Sequence, residues 1–595
     1  MHIKEKDSLT YKKKLALSIL LSTITLFIIS CFLLSACNFG KLGLNTETAT
    51  EISLSAETSG QTVGLNSEEY FYNLKSKQKN MNSLEDINIR KAIFYAIDRK
   101  RIIDALLGKY GEVLNSLFKK GSIYYSPAWG EYNHDIEKAK NYLKIAGYDN
   151  DNPLYLTIGA NTDSQSRKLI ADYIKEDLEK IGIKIWVASK DSKQWYLDYV
   201  KNGNFELGLW ALYSPDCDSL VNYFNSDKIP PMETEKNKNC NNYYWYSNLE
   251  FDSALDKLCS DSSNQENKVE LSAQLQKIIS EDAVILPLFS RVFTVAYNKK
   301  IQNIDIDTGN GNFLKNIEKV DVVSDPKKDS KENEKSIVIG YEQEPYVLNP
   351  LILDSTYKTY ISGLIVKGLW ELNQDGDYVS LLVDEIVSGD ESVSNRNAAN
   401  YSLKQNIKLK DKIFWQDGAP VTAPDIVATI NAIKSDESIV DSNGDYENIK
   451  EIITINSNEF SVTFNQYNDN WQNLFKFVFP EKLLEGNKIG YMFENDIFGC
   501  GPYKLKEWIK GEYILLERND YYFGEKPKIN SIKFIFNSDI NYLITMLRED
   551  NIDILSIPAD LNLMEDISSS TDFGLTVKQG DLWEHLAICL KPKEK

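Results

Sequence analysis

Histidine and cysteine, which often serve in catalysis and metal binding, are few in this sequence and widely separated. Among 595 residues there are three histidines, His2, His134 and His585, and seven cysteines. No Cys-x-x-Cys pair, Cys/His cluster, Gly-x-Ser-x-Gly elbow or His-Glu-x-x-His helix occurs, so the spacings that build a metal cage or an activated nucleophile are missing. The sequence therefore indicates a protein that is not an enzyme and that needs no metal or other cofactor.

Aromatic side chains offer a different chemistry, the binding of a small ligand. The chain has 34 Tyr, 24 Phe and 10 Trp residues. Tyr and Trp present an apolar ring together with a polar group, which suits a ligand cleft; burial in an ordinary core is the alternative for each ring. The formal net charge of −20 argues against a nucleic-acid partner.

The N-terminus has the layout of a bacterial lipoprotein signal. Five lysines precede the apolar run Leu15–Ala36, and Leu34–Cys37 resembles a lipobox. The sequence predicts a signal peptide over 1–36, lipidation of Cys37 and a flexible stalk over 37–69, rich in Ser, Thr, Glu and Gly. The protein would then be tethered to the extracytoplasmic face of a cell membrane. An uncleaved transmembrane anchor is the alternative, because the run is long enough to span a bilayer.

The elements that would hold a cleft follow the pattern of a mixed α/β protein. Apolar residues at helical spacing give one face across Asn88–Leu107. A second helix is predicted over Ser166–Lys180, with Gly182 as its stop and Ile183–Val187 as the next strand. Such helix–strand units recur along the chain, which indicates sheets covered by helices.

Local signals also organise the second half of the chain. Asp321–Lys335 is almost entirely charged or polar, which predicts a linker, and strand signals resume at Ser336–Gly340. Asp417–Gly418 predicts a tight hairpin turn. Thr422, three residues before Asp425, predicts a capping box at the start of a helix.

Four segments resemble the signatures of family 5 solute-binding proteins, the peptide-, dipeptide- and nickel-binding partners of ABC importers. They are Ile89–Arg99, Ala139–Tyr148, Phe414–Asp425 and Gly499–Pro527. The resemblance implies an α/β, two-lobed periplasmic-binding-protein-like fold of type II with an extra small domain. It also implies a lipoprotein that captures a small solute, such as an oligopeptide, and delivers it to an ABC permease.

The order of these segments is reversed relative to the family, which implies a circular permutation. A strand-like segment occurs in partial form at both ends, at Tyr70–Lys75 and Trp583–Lys591. The implied domains are a second lobe over 70–290, a return segment of the first lobe over 291–320, a linker over 321–335, and a first lobe over 336–595 that includes a small domain at about 376–490. A monomer that closes on itself is expected. A fusion of gene fragments, a swapped dimer and a surface sensor without a transport role remain alternatives.

The resemblance also suggests where the ligand would lie. Peptide-binding relatives carry an Asp three residues after a Trp, whereas here Tyr213 lies three residues after Trp210. The charge-assisted bond from a peptide amine to that Asp is therefore lost. Asp216 or Asp218, from the same loop, is the alternative partner for the amine. Cys217 and Cys240 could pair in an oxidising compartment. The ligand-binding candidates, each with a core or surface role as the alternative, are Trp210, Tyr213, Tyr360, Trp583 and His585.

Overall fold

The computed structural model describes most of the chain after the predicted stalk. By its internal contacts the chain divides into Met1–Glu69 and Tyr70–Lys595. The predicted signal peptide, Cys37 and the stalk up to residue 66 lie outside the described residues, as do Asp216 and 324–334 of the predicted linker. The described residues are 67–78, 82–213, 217–230, 240–260, 265–323, 335–352, 356–373, 377–388, 404–436, 439, 445–465, 470–484, 489–491 and 497–592.

The fold is a mixed α/β architecture around one large sheet. The helices are α1 Ser67–Ser76, α2 Ile87–Ala96, α3 Arg99–Leu106, α4 Ile136–Ile145, α5 Gln165–Glu179, α6 Ser192–Gln194 (continued by a π-helical turn, Trp195–Val200), α7 Cys217–Phe224, α8 Leu249–Ser260, α9 Gln265–Glu281, α10 Thr356–Gly363, α11 Ala423–Ser435, α12 Glu481–Leu484, α13 Ile540–Arg548 and α14 Leu561–Ser569. The strands are β1 Leu154–Gly159, β2 Ile183–Val187, β3 Leu207–Tyr213, β4 Ile285–Asn298, β5 Ile301–Gln302, β6 Asp321–Val322, β7 Ser336–Tyr341, β8 Trp370–Leu372, β9 Tyr378–Ser380, β10 Val383–Ser388, β11 Lys404–Leu409, β12 Ile449–Asn456, β13 Glu459–Phe464, β14 Tyr503–Ile509, β15 Tyr513–Arg518, β16 Ser531–Phe536, β17 Ile554–Ser556 and β18 Phe573–Ile588.

The large sheet draws strands from both halves of the chain. Its order is β14-β15-β16-β7-β17-β4-β18-β3-β1-β2. The strands β1, β2 and β3 are mutually parallel, and β7 is parallel to both β16 and β17. The C-terminal strand β18 is inserted between β4 and β3, which come from the first half. Neither half of the chain therefore completes this sheet alone.

Two long antiparallel strands, β4 and β18, connect the two ends of the sheet. Phe573–Gln579 pairs with Val292–Asn298 next to β17, and Trp583–Ala587 pairs with Ile285–Ser290 next to β3. The register shifts between Gln579 and Trp583. Such an irregularity bends a strand locally, so the two parts of the sheet meet at a bend.

Buried apolar side chains form three clusters along this architecture. One covers the β1–β2–β3 region and its helices and includes Trp129 and Phe251. A second lies around β7 and β16 and includes Tyr503. The third lies between a separate four-stranded sheet, β10-β11-β13-β12, and helix α11, and includes Trp415 and Phe460. Each cluster lies between the elements of its own layer, as expected for the hydrophobic core of packed layers.

The prediction of a strand at Tyr70–Lys75 was wrong, because these residues belong to helix α1. The ring of Phe71 packs 5.6 Å from Tyr155 and 5.9 Å from Trp186. The similar segment Trp583–Ile588 does form a strand, as part of β18. Since β3 already has β18 on one side and β1 on the other, no edge of β3 is free to accept a second copy of that strand.

The apolar face predicted across Asn88–Leu107 belongs to two helices, α2 and α3, rather than one. Ile97 has extended backbone angles, and the Asp98 side chain accepts a hydrogen bond from the Arg101 backbone N–H at the start of α3. Aspartate is a strong N-cap residue, and the helical spacing of apolar residues alone did not reveal this second start. The predicted helix over Ser166–Lys180 and the strand Ile183–Val187 are confirmed as α5 and β2.

The turn and helix start predicted near residue 420 are confirmed. Gly418 has a φ of +85°, and the Asp417–Gly418 turn lies between the bridged residues Phe414 and Pro420. The Thr422 backbone N–H donates to Asp425 Oδ2 at 2.8 Å in the capping box that begins α11. These residues fix a helix end and a turn, and they do not line the large cavity between the two halves of the chain.

Candidate functional site

A cavity of about 1260 Å³ opens between segments from the two halves of the chain. Its floor includes Ser290 of β4 and Gln579–Asp581 at the bend of β18. Cavities that bind small ligands commonly measure about 300–1,000 Å³, so this cavity is somewhat larger than most of them. The other lining residues come from the segments 112–125, 307–315, 359–373, 377–381 and 473–477.

The charged side chains around this cavity neutralise one another. Lys119 Nζ lies 2.9 Å from Asp581 Oδ1, which joins the 112–125 loop to the bend of β18. Lys315 Nζ lies 2.5 Å from Asp307 Oδ2. Two further pairs are Lys367–Glu371 and Lys120–Glu112. A solute in the cavity therefore meets ion pairs rather than a wall of one sign.

Tyr360 is the predicted site residue that lines this cavity. The residue is 6% exposed, and its hydroxyl donates to the Asn310 carbonyl oxygen. The hydroxyl is thus engaged with the opposite half of the chain, while the ring edge contributes apolar wall. The other aromatic residues of the lining are Phe118, Tyr124, Tyr125, Trp370, Tyr378 and Phe477.

Trp210, Trp583 and His585 lie together in a buried aromatic cluster that does not line the cavity. The His585 ring centroid is 4.9 Å from that of Trp210 and 5.4 Å from that of Trp583. His585 Nε2 lies 2.9 Å from the Tyr244 hydroxyl. Burial, with a smaller contribution from the charge of Arg167, holds the pKa of His585 well below its usual range. Among the described residues, His585 Nδ1 has no hydrogen-bond partner.

Tyr213 lies at the end of β3 and is 57% exposed. Residues paired across an antiparallel ladder project from the same face, as do residues two apart on one strand. Ala211 pairs with Glu584, so Tyr213 projects from the same face as Glu584. Trp210 and His585 project from the opposite face. The two halves of the predicted site are thus separated by the thickness of the sheet.

Glu584 is the centre of a charged cluster that sequence reasoning missed. Its side chain is 3% exposed. Arg167 Nε donates to Glu584 Oε2 at 3.0 Å and Arg291 Nε donates to Glu584 Oε1 at 2.7 Å. The three residues come from α5, β4 and β18, hundreds of positions apart. No local pattern could have pointed to them.

The described thiols are partly or fully buried, and the metal-ligating side chains in the described part of the chain are dispersed. Among those residues, no group of three or more His, Cys, Asp or Glu could hold a metal ion. Burial raises the pKa of the Cys500 thiol to about 12, so it is not a nucleophile at neutral pH. Cys240 is a free thiol, and the Cys217 and Asp218 side chains lie outside the described atoms. No helix within the described ranges has the length and apolarity needed to cross a membrane.

Comparison with known proteins matches the chain to a protein family. The sequence profile of bacterial extracellular solute-binding proteins, family 5, middle region, matches residues 42–229 and 402–581, more than half of the chain. The oligopeptide-binding protein AppA of Bacillus subtilis is 25% identical over 235 residues, which are 38% of this chain and 41% of that protein. The heme-binding protein A of Haemophilus influenzae is 26% identical over 210 residues, 34% of this chain and 36% of that protein.

Each of these matches covers less than half of the relative's own length. Among solved structures, NikZ from Campylobacter jejuni in complex with Ni(L-His) has a TM-score of 0.35 and 22% identity, with 40% of this chain and 45% of that chain covered. AppA from Bacillus subtilis in complex with a nonapeptide has a TM-score of 0.35 and 23% identity, with 40% and 47% covered.

Proposed function

Because the chain belongs to the bacterial extracellular solute-binding proteins of family 5, we propose that it captures a small, peptide-like solute and delivers it to an ABC permease. The supporting observation is the cavity of about 1260 Å³ lined by both halves of the chain and floored by β4 and β18. A solute held there would contact both parts of the sheet. Contacts made only when the two parts approach would favour a closed form.

The two parts act as lobes in this proposal, with the chain order circularly permuted relative to the family. The second lobe is 70–290, and the first lobe is 291–320 together with 336–595. Two observations support the rearrangement. Lys335 Nζ lies 2.5 Å from Asp321 Oδ1, so the ends of the predicted linker are adjacent. Lys591 and Pro592 line the same cavity of about 660 Å³ as Tyr72 and Lys75, so the residues that follow the C-terminal strand lie near the beginning of the second lobe.

The proposal also includes a lipid anchor at Cys37, which would hold the protein on the extracytoplasmic face of the membrane beside its permease. The support is the sequence alone: an apolar run followed by Leu34–Cys37. Mass spectrometry of the purified N-terminus tests it. A diacylglycerol-sized increase on Cys37 is expected, and an unmodified chain that retains residues 1–36 would contradict it.

A melting screen of the full chain tests solute capture. We expect a pool of short peptides to raise the melting temperature, because a ligand that binds only the folded state stabilises it. Thr359→Trp places a large ring on an exposed position of α10 that lines the cavity and should remove the response. Thr545→Trp makes the same change on an exposed position of α13 outside the cavity lining and should keep it. An equal response in both variants would contradict binding in this cavity.

A further inference from the structure

We infer that Gln276, on helix α9, is a positioning residue for solute capture, because it joins the two ends of the segment 116–124 in the 112–125 loop. That loop forms one wall of the large cavity. The inference rests on the proposed function, since it names what shapes the site assigned to the solute. Gln276 does not itself line the cavity, so it acts through the loop.

The side-chain amide of Gln276 bonds to both ends of this segment. Its Oε1 atom accepts from the Ser116 hydroxyl at 2.7 Å and from the Leu117 backbone N–H at 3.1 Å. Its Nε2 group donates to the Tyr124 backbone carbonyl oxygen at 2.9 Å. Gln276 is fully buried, so these bonds are made away from water, where an unpaired polar group costs free energy.

The loop has no secondary structure of its own that would fix its shape. No helix or strand lies between Tyr110 and Ile136, a range that the structure describes throughout. The Phe118 backbone N–H donates to the Ser116 hydroxyl at 3.1 Å, and the rings of Phe118 and Tyr124 lie 5.6 Å apart. Compact surface loops of this kind have ends that lie close together. The bonds to Gln276 therefore set the separation of the two ends.

The wall formed by the loop faces the other half of the chain. Residues 118–125 line the cavity. Lys119 Nζ lies 2.9 Å from Asp581 Oδ1 and donates to Thr308 Oγ1 at 3.4 Å. Groups that bind a ligand must be held within about 0.5 Å of their productive positions by residues around the site. A change in the separation of the loop ends would displace these contacts and the rings that a solute meets.

A second buried side chain, Arg99, holds the base of the loop independently of Gln276. Arg99 is 4% exposed. Its Nη1 group donates to the Leu114 carbonyl oxygen at 2.8 Å, and its Nη2 group donates to Asn115 Oδ1 at 3.0 Å. Loss of the Gln276 amide would therefore leave residues 114 and 115 in place. The part of the loop beyond them would move outward, because its unpaired polar groups gain hydration there.

Gln276→Met in the full chain tests the inference, since methionine keeps the length of the side chain and removes its hydrogen bonds. Asn242→Leu is the matched control. Asn242 is also fully buried, accepts from the Tyr246 backbone N–H at 3.2 Å and donates to the Phe224 carbonyl oxygen at 3.2 Å, and none of these three residues lines the cavity. Both variants should melt at a lower temperature than the wild type.

Only Gln276→Met should also change the site. We expect it to bind a pool of short peptides about 10-fold more weakly than the wild type in a fluorescence titration, as the loss of one or two hydrogen bonds would produce. Amide hydrogen exchange over residues 112–125, followed by mass spectrometry, should be faster in Gln276→Met and unchanged in Asn242→Leu.

The outcomes separate the role of Gln276 from the proposed function. Faster exchange over 112–125 together with weaker binding, both confined to Gln276→Met, supports the inference. Unchanged exchange in that loop, or an affinity equal to that of the wild type, overturns it. An affinity that falls equally in Asn242→Leu also overturns it, because general destabilisation would then explain the loss. If the wild type binds none of the peptides, the proposed function is refuted together with the role of Gln276 in it, and faster exchange in Gln276→Met distinguishes that result from a failure of the loop contacts.

Discussion

Replacement of Glu584 by glutamine would show how strongly the charged cluster holds the crossing strand β18 against α5 and β4. The substitution keeps the size of the side chain and one hydrogen-bond acceptor but removes the negative charge. Arg291, at 40% exposure, can turn its charge toward water, whereas Arg167, at 12% exposure, cannot. One buried positive charge is therefore left without its partner.

The magnitude follows from that geometry. Loss of one partner of a buried ion pair destabilises a protein by about 3–5 kcal/mol. Because one of the two arginines can recover its hydration, we expect the lower end, about 3 kcal/mol in the free energy of unfolding. Glu517 offers a matched control, since it also contacts two cations, Lys504 and Lys506, but is 36% exposed. Glu517→Gln should change the free energy of unfolding by less than about 1 kcal/mol.

Urea unfolding of both variants, followed by intrinsic fluorescence, measures the difference. The first transition is the relevant one, because a chain with more than one core can unfold in steps. If the urea midpoint of the first transition is the same for Glu584→Gln and Glu517→Gln, the reasoning that Glu584 stabilises the fold through a buried ion-pair cluster is refuted.

Three further predictions follow from particular contacts. The folded protein keeps His585 uncharged, whereas the unfolded chain protonates it below about pH 6.5. Between pH 6.5 and 5 the free energy of unfolding of the wild type should therefore fall by up to about 1.4 kcal/mol per pH unit relative to that of His585→Gln, as measured by urea unfolding. Parallel pH profiles of the two proteins would contradict this. Gly159→Ala should lower the free energy of unfolding by about 1–3 kcal/mol, because the added Cβ would lie 2.2 Å from the Trp195 ring. An unchanged melting temperature would contradict this. Lys119→Gln removes the 2.9 Å ion pair between Lys119 and Asp581, which joins the 112–125 loop to the bend of β18. The affinity for the solute, measured by calorimetry, should fall by about 5-fold, while the free energy of unfolding changes by less than about 1 kcal/mol. An unaltered affinity would contradict a role of this ion pair in closing the cavity.

The parts of the fold that depend on neighbouring residues could be predicted from the sequence. The capping box at Thr422 and Asp425 spans four residues, and the predicted helix and strand between 166 and 187 depend on apolar spacing with a glycine between them. Tyr70–Lys75 shows the limit of such signals. The segment resembles part of β18, but a strand also needs an unoccupied sheet edge, and β3 has none.

The candidate site could be predicted only in part, because it depends on which side of a strand faces which layer. Trp210 and Tyr213 are three residues apart and therefore project from opposite faces, one into the aromatic cluster around His585 and the other toward solvent. Glu584 binds arginines at positions 167 and 291. Contacts at that separation are set by the strand order of the completed sheet, which local periodicity does not contain.

Native mass spectrometry of the full chain, purified without reducing agent and released from detergent, tests the central claim most directly. If both halves of one chain complete a single sheet and enclose a solute, the spectrum should show a monomer that carries a small bound mass. That mass should be absent from Thr359→Trp, in which the cavity is obstructed. A dimer, or a monomer that never carries or accepts a small solute from the peptide pools, would contradict the account.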